Sequence, residues 1–294
     1  MSKRSRDRQL AKLAARRQAE RDAATRRRNL IVGAVVGVLA LVVVIVGLGF
    51  LLGDDTDVAA PSVSPSVSPT GSPSPSPAPG TQTGTVTPTA ATESGEVACG
   101  AEAPATAGEP KPQFAGPPPM KIDRKATYTA TMVTSCGTIV IELDAKRAPQ
   151  TVNSFAFLAR QGYFDGQYFH RLDTSIDVIQ GGDPSGTGSD GPGYAIPDEL
   201  KGNESYTPGT IAMANAGPNT GGSQFFIITG PAGTNLDGNP NYTIFGHVTE
   251  GLDVAQRIQA LPIVDPDAAD LSGQRPVQAV YLDEVTIRKT GGGA

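Results

Sequence analysis

Phe169-His170-Arg171, leading to Gln180-Gly181-Gly182-Asp183, and Met213-Ala214-Asn215-Ala216-Gly217-Pro218-Asn219, leading to Ser223-Gln224-Phe225-Phe226, are the stretches that decide how this chain folds. Each sets one or two polar groups beside apolar or aromatic residues and glycines, and a third run, Tyr242-Thr243-Ile244-Phe245-Gly246, extends the pattern. Around them lie short segments rich in Val, Ile, Thr, Tyr and Phe, bounded by Gly, Pro, Asn and Asp, which predict strands at Tyr168–Leu172, Val178–Gly181, Thr210–Met213, Gln224–Thr229 and Thr243–Thr249. Upstream, Thr127 to Leu143 alternates around Cys136-Gly137 and reads as a β-hairpin. Val152, Phe155, Ala156, Leu158 and Ala159 recur at helical spacing between Pro149 and Gly162, so a helix is expected over Ala148–Gln161. A second helix is expected near Asp253–Leu261, and a last strand at Ala279–Arg288. Many short strands with two helices suggest a mostly β fold, a closed antiparallel barrel of about eight strands capped by two helices.

From Thr127 to Lys289 the runs resemble the signature of the cyclophilins, the peptidyl-prolyl cis-trans isomerases, in a membrane-anchored, bacterial-like version. The resemblance implies the barrel architecture and an enzyme that rotates X-Pro bonds, with proline-containing polypeptides as substrates. Arg171 is the implied donor to the prolyl nitrogen, Gln180 holds the substrate backbone, and Phe226 belongs with them as the catalytic set. The substrate-binding residues it implies are His170, Ile176, Val178, Met213, Ala214, Asn215, Leu236 and Tyr242. A twisted amide regains a nitrogen lone pair that can accept a hydrogen bond, so such a site needs no nucleophile, base, metal or cofactor.

The chain departs from the family's pattern. Between Arg171 and Gln180 it reads Leu-Asp-Thr-Ser-Ile-Asp-Val-Ile, one residue longer than the family's usual segment and lacking its Phe, for which Ile176 is the stand-in. Asn235 precedes Leu236 where many members carry Trp, and Tyr242 stands where His is common, so weakened cyclosporin binding is expected. The altered segment motivates a rival reading, a module that binds proline peptides with little or no catalysis. A purely structural tether is a third.

Residues 1–28 hold eleven Lys and Arg against three acids, and everything after Arg28 is acidic, with 13 basic and 26 acidic residues. Leu30 to Leu52 is an uncharged apolar run, long enough at about 1.5 Å per residue to cross a bilayer core of roughly 30 Å. It is too long for the apolar stretch of a cleaved signal peptide, so residues 29–53 are read as a transmembrane helix in contact with lipid through 30–52. Arg26-Arg27-Arg28 on one flank and Asp54, Asp55 and Asp57 on the other keep residues 1–28 cytoplasmic and put the C-terminal domain outside the cell membrane. That position explains the basic arm without nucleic acid. Residues 54–119, dominated by Pro, Ser, Thr, Ala and Gly, are read as a disordered tether, and 120–290 as one isomerase domain, taken as monomeric.

Cys99 and Cys136 form an even pair on the exported side, which permits a disulfide; two unpaired thiols remain the alternative. Their spacing with His170 and His247 suggests no metal site. Gly186-Thr187-Gly188-Ser189-Asp190-Gly191 matches a dinucleotide-binding pattern, but Pro192-Gly193 follows where a helix should open, so it is read as a glycine loop.

Overall fold

The computed structural model describes residues 79–87, 95–266 and 273–291. Eight strands form one antiparallel sheet: β3 (Thr127–Thr134), β4 (Gly137–Leu143), β5 (Arg171–Asp173), β6 (Val178–Gly181), β7 (Thr210–Met213), β8 (Phe225–Ile228), β9 (Ile244–Glu250) and β10 (Leu282–Thr290). Their order is β10-β3-β4-β9-β7-β8-β6-β5. A small separate ladder joins β1 (Gln82–Val86) to β2 (Lys111–Phe114). Helix α1 spans Pro149–Arg160 and α2 spans Leu252–Gln259.

The hairpin β3–β4 alternates as its sequence requires: Tyr128, Ala130 and Met132 of β3 and Ile139, Ile141 and Leu143 of β4 are buried, while their neighbours are more exposed. Helix α1 covers this core with Val152, Phe155, Ala156, Leu158 and Ala159. Phe155 stands against Phe164, Phe225 and Phe245, with ring centroids 4.8, 5.7 and 5.3 Å away. The first turn of α1 has no side-chain cap of its own; Glu199 supplies one from a distant loop, accepting from Gln150 N, Thr151 N and Thr151 Oγ1.

The structure corrects two expectations. The barrel is open: the edge strands β5 and β10 share no ladder. They are stitched through the chain in front of each, by the Tyr168–Tyr281 bridge and by Phe169 N donating to Val280 O at 3.0 Å. The reason is length, because β5 has only three residues and the chain before it runs as irregular backbone. Second, the tether expected over 54–119 is ordered over its described part. Val97 bridges Ala279, Ala98–Gly100 form a short 3-10 turn, and Phe114 is buried. The Asn153 side chain donates to Pro118 O and Pro119 O and accepts from Lys121 N and Ile122 N, holding a stretch whose prolines cannot donate. Cys99 and Cys136 are disulfide-bonded, with Cα atoms 5.2 Å apart. The expected span Leu30–Leu52 and the basic segment lie outside the described residues, and among the described residues no helix is long and apolar enough to cross a membrane.

The disulfide closes a loop with a sequence separation of 37 residues. Its removal should cost about 2–4 kcal/mol, chiefly through the larger conformational freedom of the unfolded chain. Cys99→Ser/Cys136→Ser should therefore melt below the wild type in non-reducing calorimetry, and identical melting temperatures would show that the disulfide adds nothing to the stability of the fold.

Candidate active site

Arg171 begins β5 directly opposite Gln180 of β6 in the ladder, so the extra residue between them is absorbed in the turn Thr174–Asp177 rather than in the pairing. That turn is closed by Asp173, whose Oδ1 accepts from Ser175 N and Oγ, and by Asp177, which adopts a left-handed φ of 49°. Three acceptors fix the Arg171 guanidinium. Nε donates to Gln274 Oε1 at 2.6 Å, Nη1 to Gln180 Oε1 at 2.9 Å and Nη2 to Asp173 Oδ2 at 2.5 Å. Of its five N–H groups, two have no acceptor among the described residues.

The polar contacts continue past Arg171. Because a guanidinium only donates, Gln180 must turn Oε1 toward it and Nε2 away. That Nε2 donates to Gln224 Oε1 at 3.0 Å, and Gln224 Nε2 donates to Asp190 O at 2.9 Å. The loop carrying Asp190 is folded around the buried carboxylate of Asp183, which accepts from Ser185 N and Oγ and from the backbone N–H groups of Gly186, Gly188 and Asp190. Gly182 precedes it with φ 86°, and a Cβ there would stand 2.3 Å from Ser223 O, which requires glycine in Gln-Gly-Gly-Asp.

Beside the guanidinium lies an apolar cluster of Val178, Tyr206, Ala212, Phe226 and Ile228, flanked by Ile176, Ala214, Leu236, Tyr242 and Ile244. The Phe226 and Tyr242 rings meet edge-on at 5.2 Å. Tyr206 locks Tyr242 in place, its hydroxyl donating to Tyr242 O at 2.9 Å and accepting from Tyr242 N at 3.0 Å. Burial pushes the Tyr206 phenol up to about 12, so it remains a donor at any physiological pH. Leu236 ends the 3-10 turn Pro231–Leu236, which is anchored where Ala232 N donates to Asp177 Oδ2.

Arg171, Gln180, Phe226, Ile176, Val178, Ala214, Asn215, Leu236 and Tyr242 therefore line one groove of about 660 Å³. Two residues expected there do not. Met213 is 3% exposed and packs in the main core, and His170 is 2% exposed, away from the groove. Both precede a groove residue in sequence, and the pleat sends adjacent side chains to opposite faces. Sequence reasoning also missed Gln224, Gln274, Tyr206 and Gln113. Gln224 sat inside a quoted run without a role, whereas Gln274 and Gln113 carry no local signal.

A fixed guanidinium beside an apolar cluster on an antiparallel sheet is the arrangement that the resemblance to the peptidyl-prolyl cis-trans isomerase class implies. The family model described as "Cyclophilin type peptidyl-prolyl cis-trans isomerase/CLD" matches residues 129–287. The chain is 48% identical over 153 residues to peptidyl-prolyl cis-trans isomerase-like 1 of Homo sapiens, covering 51% of this chain and 86% of that protein. It is 44% identical over 153 residues to a peptidyl-prolyl cis-trans isomerase of Schizosaccharomyces pombe, covering 51% of this chain and 92% of that protein. A Cryptosporidium parvum cyclophilin structure aligns with TM-score 0.49 and 28% identity over 56% of this chain and 99% of its own. The chain belongs to the cyclophilin family. The Homo sapiens and Schizosaccharomyces pombe relatives are eukaryotic and lend no support to a bacterial-like character.

The buried His170 has no hydrogen-bond partner at Nδ1 or Nε2 among the described residues. Burial lowers its pKa to about 4, against the pull of Asp183 and with help from Arg171 and Arg275. The folded state therefore keeps the imidazole neutral while an unfolded His takes a proton near 6.5. The stability this residue contributes is complete above about pH 6.5 and is lost as pH falls toward about 4. The His170 imidazole, followed by NMR, should stay neutral at pH 5.5, and the urea midpoint of unfolding should fall as pH drops through the same window; a titration midpoint near 6.5 would contradict the burial argument.

Proposed function

We propose that Arg171 accelerates X-Pro isomerisation by donating to the prolyl nitrogen as the amide twists. The barrier, about 18–20 kcal/mol, comes from amide resonance that makes the planar nitrogen a poor acceptor. At the twisted geometry the lone pair returns, so an N–H aimed at it is stronger in the transition state than in either planar isomer. The observation that carries this reading is the guanidinium held by Gln274, Gln180 and Asp173 with N–H groups to spare, in the same groove as the Phe226 pocket. Fixing the donor in advance removes reorganisation from the barrier.

A rate gain of roughly 10⁴ needs about 5.5 kcal/mol, and one charge-assisted hydrogen bond supplies only about 1.5–3 kcal/mol. The rest falls to the pocket. Phe226, Leu236, Tyr242, Val178 and Ile176 grip the proline ring while the acyl side turns, and backbone at Ala214 and Asn215 receives the preceding residue. Gln180 holds the substrate backbone. No bond is made or broken and no proton leaves, so neither metal nor cofactor enters the scheme.

Substrates in this reading are proline-containing polypeptides folding after export. The uncharged run Leu30–Leu52, with Arg26-Arg27-Arg28 before it and acids after it, supports a single-pass anchor that presents the domain on the extracytoplasmic face. The disulfide agrees with an oxidising compartment.

Arg171→Ala in the full-length protein should lower kcat/KM for a proline peptide about 10- to 150-fold, the worth of one such bond. Equal rates in the two proteins refute the role given to Arg171. A groove that only binds would instead show saturable peptide binding with no acceleration in either protein. For the topology, protease added to intact spheroplasts should digest the isomerase domain while sparing a cytoplasmic marker; protection of both reverses the orientation.

A further inference from the structure

Residues 95–119 precede the segment that the family model covers, yet they reach the groove. The strap they form is held at its start by Ala98 N donating to Ala279 O and by the disulfide to Cys136. It ends against the loop 188–194, which walls the polar end of the groove. Gln113 Nε2 donates to Gly191 O at 2.6 Å, and Phe114 N donates to Pro192 O at 2.9 Å. The Phe114 ring packs on Phe157 and Tyr194 at 5.0 and 6.4 Å, and Tyr194 Oη is 2.8 Å from Ser154 Oγ of α1. Gly193 has φ 87°, and a Cβ there would lie 2.7 Å from Phe114 O and 2.9 Å from Gln113 Oε1, so strap and loop are in backbone contact.

Two glutamines thus hold this loop at adjacent carbonyls: Gln224 at Asp190 O and Gln113 at Gly191 O. The hydrogen-bonded series Arg171–Gln180–Gln224 ends on the loop, and Gln113 is its far support. Gln113 itself also lines the groove. We propose that Gln113 is a positioning residue for extended substrates, fixing through Gly191 the width of the polar end, where the peptide residues before the X-Pro pair lie. The proposal rests on the reading that Arg171 and the Phe226 pocket take the X-Pro pair itself. The strap is then part of the substrate-binding surface and tunes which polypeptides the enzyme accepts, without touching the rotating bond.

The test uses full-length protein and two substrates, a short blocked X-Pro peptide and the same peptide with three more residues before X. Gln113→Glu keeps the shape of the side chain but replaces the N–H that faces Gly191 O with a carboxylate. It should raise KM for the long peptide about fivefold more than KM for the short one, the worth of one lost hydrogen bond, so that the two substrates separate in KM rather than in kcat. Gln113→Ala should show the same split, with a melting temperature close to the wild type for both variants. An unchanged KM for the long peptide overturns the proposal. So does an equal loss with both peptides accompanied by a lower melting temperature, which would make Gln113 a support of the fold alone. Wild-type protein that turned over neither peptide would count against the Arg171 reading instead, and calorimetric binding of the long peptide to wild type and Gln113→Glu would still decide the role of Gln113.

Discussion

The guanidinium of Arg171 is fixed by three acceptors that come from three separate parts of the chain, and the site depends on all of them. Gln180 comes from the neighbouring strand, Asp173 from the same short strand, and Gln274 from a segment 103 residues away. An arginine on a surface would spread its charge over many rotamers and lose that entropy again on binding. Here folding has already ordered it. Asp173 leaves the cation paired in a half-buried place, where an unpaired charge would be costly. Because Leu172 N also donates to Gln274 O, the segment that closes the sheet edge is the one that aims the Arg171 guanidinium.

That arrangement explains why a sheet without a complete ladder around its circumference suffices. Between the chain before β5 and that before β10 the connection is a single bridge with a few flanking hydrogen bonds, and Leu172 N of β5 donates to Gln274 O instead. A continuous ladder at this edge would occupy the Leu172 backbone with a partner strand and leave Gln274 no route to Nε. The irregular seam is thus where the scaffold meets the chemistry, as sheet irregularities often are.

Most of the sheet and both helices were legible in the sequence because alternation and helical spacing are local signals. The hairpin Thr127–Leu143 shows period two, and Phe155 and its neighbours show the helical period. The groove was legible where a polar residue sits in a glycine-bounded strand, as with Arg171 and Gln180. Errors came from adjacent pairs. His170 and Arg171, and Met213 and Ala214, each divide between core and groove, so naming both members of a pair for one site contradicts the pleat, whereas Phe226 was named without its core neighbour Phe225. Gln274 and Gln113 had no signal, since each reaches the site from a segment with neither periodicity nor motif.

The strap marks the limit of composition as a guide. Pro-, Thr- and Gly-rich sequence predicts an unfolded tether because it buries little apolar surface. Between residues 95 and 119 three features overrule that average: a disulfide, the ring of Phe114 inserted between Phe157 and Tyr194, and the Asn153 amide that satisfies the backbone around Pro118 and Pro119. None is a property of the segment alone. Each requires a partner supplied by the folded domain, so the strap is ordered by tertiary contact, and its order carries Gln113 to the groove. A border drawn at residue 120 from composition would cut away a wall of the site together with the bond that anchors it.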